Sequence, residues 1–238
     1  MAASVLGSTT STTAGDSLTY AFNCQAPLLL VFVGSHYAQT VTSITFNGDA
    51  LTQLTRNAGS SGSARMAEIW YLKNPDQGNY NVVVTMGSVS YPVTSGAVSI
   101  QAAEISGTTF GTPNGANGYT WGPGGPTVNI ASATGELVIS FCAIEQDGPI
   151  TPGSGETEVF EVAYSTTQVS TCDTEPGATT VTMSNSYGAG EGGYWAIVGV
   201  SIKPLLSSIK TVQGLARASV KTVQGLAIAS MKTLQGVA

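Results

Sequence analysis

What a chain can do chemically depends first on its reactive side chains. This one has a single histidine, His36, in Gly34-Ser35-His36-Tyr37 at the end of an apolar run. A Ser-His-acid triad would have to use it, but no G-x-S-x-G turn is present to raise a nucleophile, so an ordinary loop histidine is expected. A metal site built on several histidines is excluded. The carboxylates are more closely spaced: Glu145 with Asp147, and Glu156 with Glu158 and Glu161. Residues two apart on a strand share a face, so Glu156 and Glu158 could form an acid/base pair for glycoside hydrolysis. Acids on a solvated strand face are the commoner arrangement. Asp147, Glu156 and Asp173 carry oxygens of the kind calcium takes, without the spacing of a calcium loop. Cys24, Cys142 and Cys172 are odd in number and lie in no CxxC. They read as small buried hydrophobes, with one internal pair or a link between subunits as alternatives. No Gly-rich stretch precedes a helix, so no phosphate loop is indicated. The expectation is a protein with no catalytic residues, no metal and no cofactor.

The elements that must position these groups read as strands. Runs rich in Val, Ile, Thr and aromatics recur from residue 1 to about 204, bounded by Gly, Pro, Asn and Asp. They are Ser17–Asn23, Leu28–Gly34, Val41–Phe46, Leu51–Arg56, Met66–Lys73, Tyr80–Met86, Ala97–Ile105, Thr127–Ile130, Glu136–Ile144, Glu158–Tyr164, Thr179–Met183 and Tyr194–Ile202. Tyr80, Val82, Val84 and Met86 share one face, as do Tyr194, Ala196, Val198, Val200 and Ile202. Leu28–Val33 and Leu137–Ile144 are apolar on both faces and read as central strands. Asn47-Gly48 and Asn74-Pro75-Asp76-Gln77-Gly78 are turn signals. The fold class expected is all-β: a jelly-roll-like antiparallel β-sandwich over 1–204, followed by a short C-terminal 11-residue β repeat over 205–238. Closed-barrel and immunoglobulin-type variants are the alternatives. One long loop, Gly107 to Pro126, carries Phe110, Tyr119 and Trp121. Tyr119 and Trp121 are candidate ligand-facing aromatics, able to stack on a sugar ring; a loop folded over the open end of the sandwich is the other reading.

Charge divides the chain in two. Only 9% of residues are charged, against roughly 25% in an ordinary soluble domain. All 14 acids lie at or before Glu191, and only Arg56, Arg65 and Lys73 are basic before residue 200. Residues before 200 therefore carry −11, and Lys203, Lys210, Arg217, Lys221 and Lys232 give the remainder +5. An acidic body is unsuited to nucleic acid, whose phosphates need clustered Lys and Arg. The start of the chain has neither a basic nor an apolar segment of a signal peptide, and no apolar run approaches the ~20 residues of a membrane helix. A weakly charged, Ser/Thr/Gly-rich protein without a signal suits a virion surface protein made in the host cytoplasm.

After Pro204 the sequence repeats Lys-Thr-Val-Gln-Gly-Leu-Ala, with Lys at 210, 221 and 232 and Gly at 214, 225 and 236. An 11-residue period suits a right-handed helical coil. Against it, each repeat carries a Gly and β-branched residues, which favours strands turning at Gln-Gly. Ile209, Val212, Leu215, Val220, Val223, Leu226, Met231 and Leu234 are the expected assembly residues, since so short an element gains stability by stacking on neighbours.

Two segments carry a resemblance. Ile44-Thr-Phe-Asn-Gly-Asp-Ala-Leu-Thr, with Glu68-Ile-Trp-Tyr-Leu-Lys-Asn-Pro and Gly78-Asn-Tyr-Asn-Val-Val-Val-Thr, resembles β-sandwich domains of tailed-bacteriophage and related bacterial surface proteins. The tail repeat is similar to tails on phage virion-associated proteins. Together they cover about a third of the chain. The resemblance implies a non-enzymatic virion component, a capsid decoration or a head- or tail-fibre subunit. Its expected partners are itself, as a homo-oligomer with a trimer favoured, and other virion proteins such as capsid or tail subunits. The alternative is a carbohydrate-binding, host-recognition module that meets host glycans through Tyr119, Trp121, Tyr187 or Trp195.

Overall fold

Side-chain alternation decides which layer each strand occupies. Ser17–Cys24 is exposed and buried at alternate residues along its whole length, so it covers a sheet with one face. Leu28–His36 is buried on both faces as far as Ser35, so it lies inside. In the computed structural model the described residues are 2–37, 39–59, 65–87, 91–121, 124–146, 148–188 and 192–205, with the backbone of 222–223 and 226–227 in the tail. Residues Ala2–Leu205 form one compact unit, and the tail belongs to another.

The first half of the body contains β1 (Ser4–Thr13), β2 (Ser17–Cys24), β3 (Leu28–His36), β4 (Val41–Phe46), β5 (Asp49–Ala50), β6 (Thr52–Ala58), β7 (Arg65–Lys73), β8 (Gly78–Met86) and β9 (Val93–Gln101). The second contains β10 (Asn114–Trp121), β11 (Thr127–Ala131), β12 (Leu137–Ile144), β13 (Thr151–Pro152), β14 (Thr157–Tyr164), β15 (Gln168–Pro176), β16 (Thr180–Ser186) and β17 (Gly192–Ile202). Every pairing within these sheets is antiparallel.

The two halves repeat one topology. The first has a five-stranded sheet in the order β1-β9-β3-β7-β6, and the second has β10-β17-β12-β15-β14. The smaller sheets follow suit, β2-β8-β4-β5 and β11-β16-β13. In each half the order is jelly-roll-like, with the first strand beside the last. Register agrees as well. Leu28 pairs with Ile100, and Phe32 with Gly96; in the second half Leu137 pairs with Ile202, and Phe141 with Val198. Even the irregularity is shared: β6 shifts register between Gln53 and Thr55, and β14 between Glu158 and Phe160.

The larger sheets pack face to face, and the smaller sheets cover their outer faces, giving four layers. One apolar cluster lies between the larger sheets (Leu28, Leu30, Phe32, Ile139, Phe141, Val198, Val200), and one lies under each cover. Each fully buried Leu or Phe contributes ~1.5–3 kcal/mol. At the centre, equivalent residues meet: the Phe32 and Phe141 rings are 5.5 Å apart. A Cβ on Gly34 would lie 2.9 Å from that of its counterpart, Ala143. The halves are therefore related by a local two-fold axis along the strands, and β3 and β12 end at the same end of the body. Leu205 is at the other end, where its N–H donates to the Ala102 carbonyl.

The twelve expected strands are present, with five additions: β1, β10, β15 and the two-residue β5 and β13. Ser4–Thr13 pairs along its length with β9, although its Ser/Thr content hides any apolar alternation. Within the stretch expected to be a loop, Asn114–Trp121 is a strand paired with β17. Its glycines mask the pattern and are needed for close approach: a Cβ on Gly115 would meet Asn57 at 2.9 Å, and one on Gly118 the Trp195 ring at 2.8 Å. Asn47 and Gly48 both take positive φ, 50° and 89°, as their hairpin turn requires. In the tail, Thr222–Val223 pairs antiparallel with Leu226–Ala227, flanking a Gln-Gly at which the sequence places a turn. Val223 and Leu226 are thus described in backbone alone; Ile209, Val212, Leu215, Val220, Met231 and Leu234 lie outside the described residues.

Candidate functional site

The apolar core between the larger sheets ends in a polar layer where β3 and β12 end. Alternation carries β3 from Phe32 through Gly34 to His36, and β7 begins beside it with Arg65. Arg65 is fully buried. Its Nη2 donates to the Thr167 carbonyl at 2.9 Å and lies 3.5 Å from Glu145 Oε1, across the local axis. Glu145 Oε2 accepts the Tyr194 N–H at 3.3 Å. Deeper in, Thr94 and Ser170 share a hydrogen bond of 2.7 Å, and Gln168 Nε2 donates to Thr94 Oγ1 at 2.9 Å. Burial, with Arg65 second, lowers the His36 pKa to about 4 against the opposing pull of Glu145, so the ring is neutral at pH 7. Burial also lowers Arg65, to about 10, which leaves it charged.

Aromatic rings extend this layer on both sides. From the first half, Tyr37 stacks on His36 with centroids 4.0 Å apart, and Tyr91 lies 4.2 Å from Tyr37. From the second, Tyr119 meets Tyr194 edge-on at 5.0 Å. Thr120 is held from one face of β10 by Trp195 Nε1 at 2.9 Å, and its carbonyl accepts the Tyr187 hydroxyl. Its neighbours Tyr119 and Trp121 therefore project from the other face. The result is a continuous row of contacts, Tyr91–Tyr37–His36–Arg65–Glu145–Tyr194–Tyr119, with Trp121 next along β10. Four of these rings are well exposed: Tyr37 at 42%, Tyr91 at 39%, Tyr119 at 56% and Trp121 at 68%. Such flat, wet rings next to hydrogen-bonding groups can stack a ligand and orient it.

The other sequence candidates are dispersed. Tyr187 is buried and Trp195 half-buried against the outer core of the second half. Phe110 packs on Tyr71 at the opposite end, where it does cover the sandwich. Glu156 Oε1 accepts the Ser184 N–H at 2.7 Å, and Glu161 Oε2 the Ile150 N–H at 2.7 Å. Glu158 instead lines an open cleft of about 390 Å³ between β1 and β14, with Glu175, Val5 and Leu137. Asp173 is wholly buried and held by Asn185 Nδ2 at 2.7 Å. Asp147 lies outside the described residues. Among those described, no group of three or more His, Cys, Asp and Glu is placed to hold a metal. Cys24, Cys142 and Cys172 are buried and unbridged. No helix among the described residues is long and apolar enough to cross a membrane.

Sequence reasoning singled out Tyr119 and Trp121 and read His36 as an ordinary loop histidine; it did not group them with Tyr37, Tyr91, Arg65 and Glu145. The available signal was a lone Arg heading one apolar strand and a lone His closing another. No family model, curated protein or solved structure matches the chain.

Proposed function

We propose that the chain is a non-enzymatic structural component of a phage virion, a decoration or fibre subunit, assembling through its C-terminal repeats. The observation that carries this reading is that the four layers are complete within Ala2–Leu205: both larger sheets are covered on both faces by strands of the body. The apolar positions of the repeats are surplus to that architecture, and apolar surface not needed for folding drives association. The opposite charges of body and tail favour steered assembly of like chains and other acidic particle proteins. Identical tails favour a closed, symmetric homo-oligomer, of which a trimer is the state we favour.

Deletion of residues 206–238 tests this. The truncated body is expected to keep its β-rich circular dichroism and its melting transition. It should lose its oligomeric state in sedimentation and its incorporation into particles. A truncated chain that assembles as the full chain does would remove the proposal.

A further inference from the structure

We propose that the end of the body at which the two halves differ binds a neutral saccharide, lying along the row from Tyr37 and Tyr91 to Tyr119 and Trp121. The inference is independent of the tail and stands or falls apart from assembly.

The local symmetry supplies the first argument. Along the core, counterparts are alike: Leu28 and Leu137, Phe32 and Phe141, Ile100 and Ile202. At this end they are not. His36 has Glu145 as its counterpart, Arg65 has Gln168, and Thr94 has Ala196. Packing alone asks nothing of the kind, since apolar residues of either half would close the core. Charged and polar groups buried at an interface are costly and are seldom kept for stability.

The second argument is hydrogen-bonding capacity left open. His36 Nε2, Gln39 Nε2, Gln146 Oε1 and Gln168 Oε1 are buried and have no partner, and all belong to residues of this end. Unpaired buried atoms also occur elsewhere in the body, at Ser99, Thr109, Ser140, Glu156, Asn185 and Ser201; those at this end differ in lying beside exposed rings, where a ligand can complete them. The set mixes donors and acceptors. Hydroxyl groups serve both; an apolar ligand serves neither. Saccharides combine hydroxyls with an apolar ring face that stacks on Tyr and Trp.

Charge selects among saccharides. The only cation in the row, Arg65, is buried and already committed to Glu145 and the Thr167 carbonyl. The body carries −10. An acidic sugar would meet repulsion without a free counter-charge, and a neutral one would not.

The test uses the full chain, ¹⁵N-labelled at tryptophan, titrated with neutral gluco-, manno-, galacto- and chito-oligosaccharides and with a uronic-acid series. Only three indole signals exist. Trp70 and Trp195 donate internally to Glu68 and Thr120, so the expected result is a neutral series that moves the Trp121 signal alone. Trp121→Ala and Tyr119→Ala, both at well-exposed positions, should each weaken binding by about tenfold, the loss of one stacking contact. Tyr80→Ala, an exposed aromatic elsewhere, should leave it unchanged. The proposal is overturned if no neutral series moves Trp121, if the uronic acids alone bind, or if the Trp121→Ala chain binds as its parent does.

Discussion

The first and second halves of the body carry the same strand order and register on sequences that scarcely repeat. They therefore show which features the architecture needs and which each half has been free to change. Facing positions conserve combined volume rather than identity. Phe160 presses on Gly96, where a Cβ would come within 2.2 Å of its ring. At the equivalent positions the second sheet has Val198 and the first has Thr55. The large residue and the absent side chain have exchanged places for two of middle size. A close-packed interior requires such compensation.

Copying the second half into the first should break the comparison most severely. Gly96→Val places two methyls into the Phe160 ring and should cost about 3 kcal/mol in denaturant unfolding. Adding Phe160→Thr should recover at least half of it, because the pair then matches its counterpart. A double variant no better than the single one would mean that the halves are not equivalent at this point.

Buried acids give a second contrast. On β7, Glu68 is met by Trp70 Nε1 at 2.6 Å and by Arg56 Nε at 3.0 Å. On β15 the equivalent positions hold Thr171 and Asp173, which also bond to each other, but Asn185 is the other partner and no cation among the described residues joins them. Burial first, with Glu156 adding to it, raises Asp173 to about 7. The folded chain thus keeps a proton that the unfolded chain releases, and stability falls as pH rises from about 4 through 7. Asp173→Asn should add up to ~4 kcal/mol above pH 8 and nothing below pH 4. A gain independent of pH would contradict the assignment. Burial raises Glu68 as well, against the pull of Trp70, Gln53 and Arg56, so Glu68→Gln should also add stability as pH rises above the usual carboxylate range, by less than Asp173→Asn because a cation lies beside it.

At the end of the body the smallest effect is also the cleanest to read, because there is one histidine. His36 should titrate near 4 by proton NMR. Arg65→Gln, the second half's residue, removes a charge that opposes protonation, so the midpoint should rise toward the ordinary value near 6.5. An unmoved midpoint would separate His36 from Arg65 and break the row of contacts.

Much of this fold was legible in the sequence. Leu28–Val33 and Leu137–Ile144 announce themselves as doubly buried, and Asn47-Gly48 as a turn. β1 and β10 were hidden because edge strands rich in Ser, Thr and Gly lack alternation. The repetition of the halves was hidden because equivalent residues are not evenly spaced: Leu28 corresponds to Leu137 but Ile100 to Ile202, and loops of different length absorb the difference. The site was half legible. Tyr119 and Trp121 stand out in a Gly-rich stretch, whereas the burial of Arg65 depends on Glu145 and Thr167, which approach only when the two sheets pack.

The central claim is that two equivalent halves meet face to face about a local axis that runs along the strands between Phe32 and Phe141. Selective labelling of the phenylalanine rings in the full chain tests it most directly. Nuclear Overhauser contacts are expected between Phe32 and Phe141, and from each to Phe160, whose centroid lies 6.0 Å from the first and 6.3 Å from the second. Contacts of Phe32 confined to residues of its own half would contradict the account.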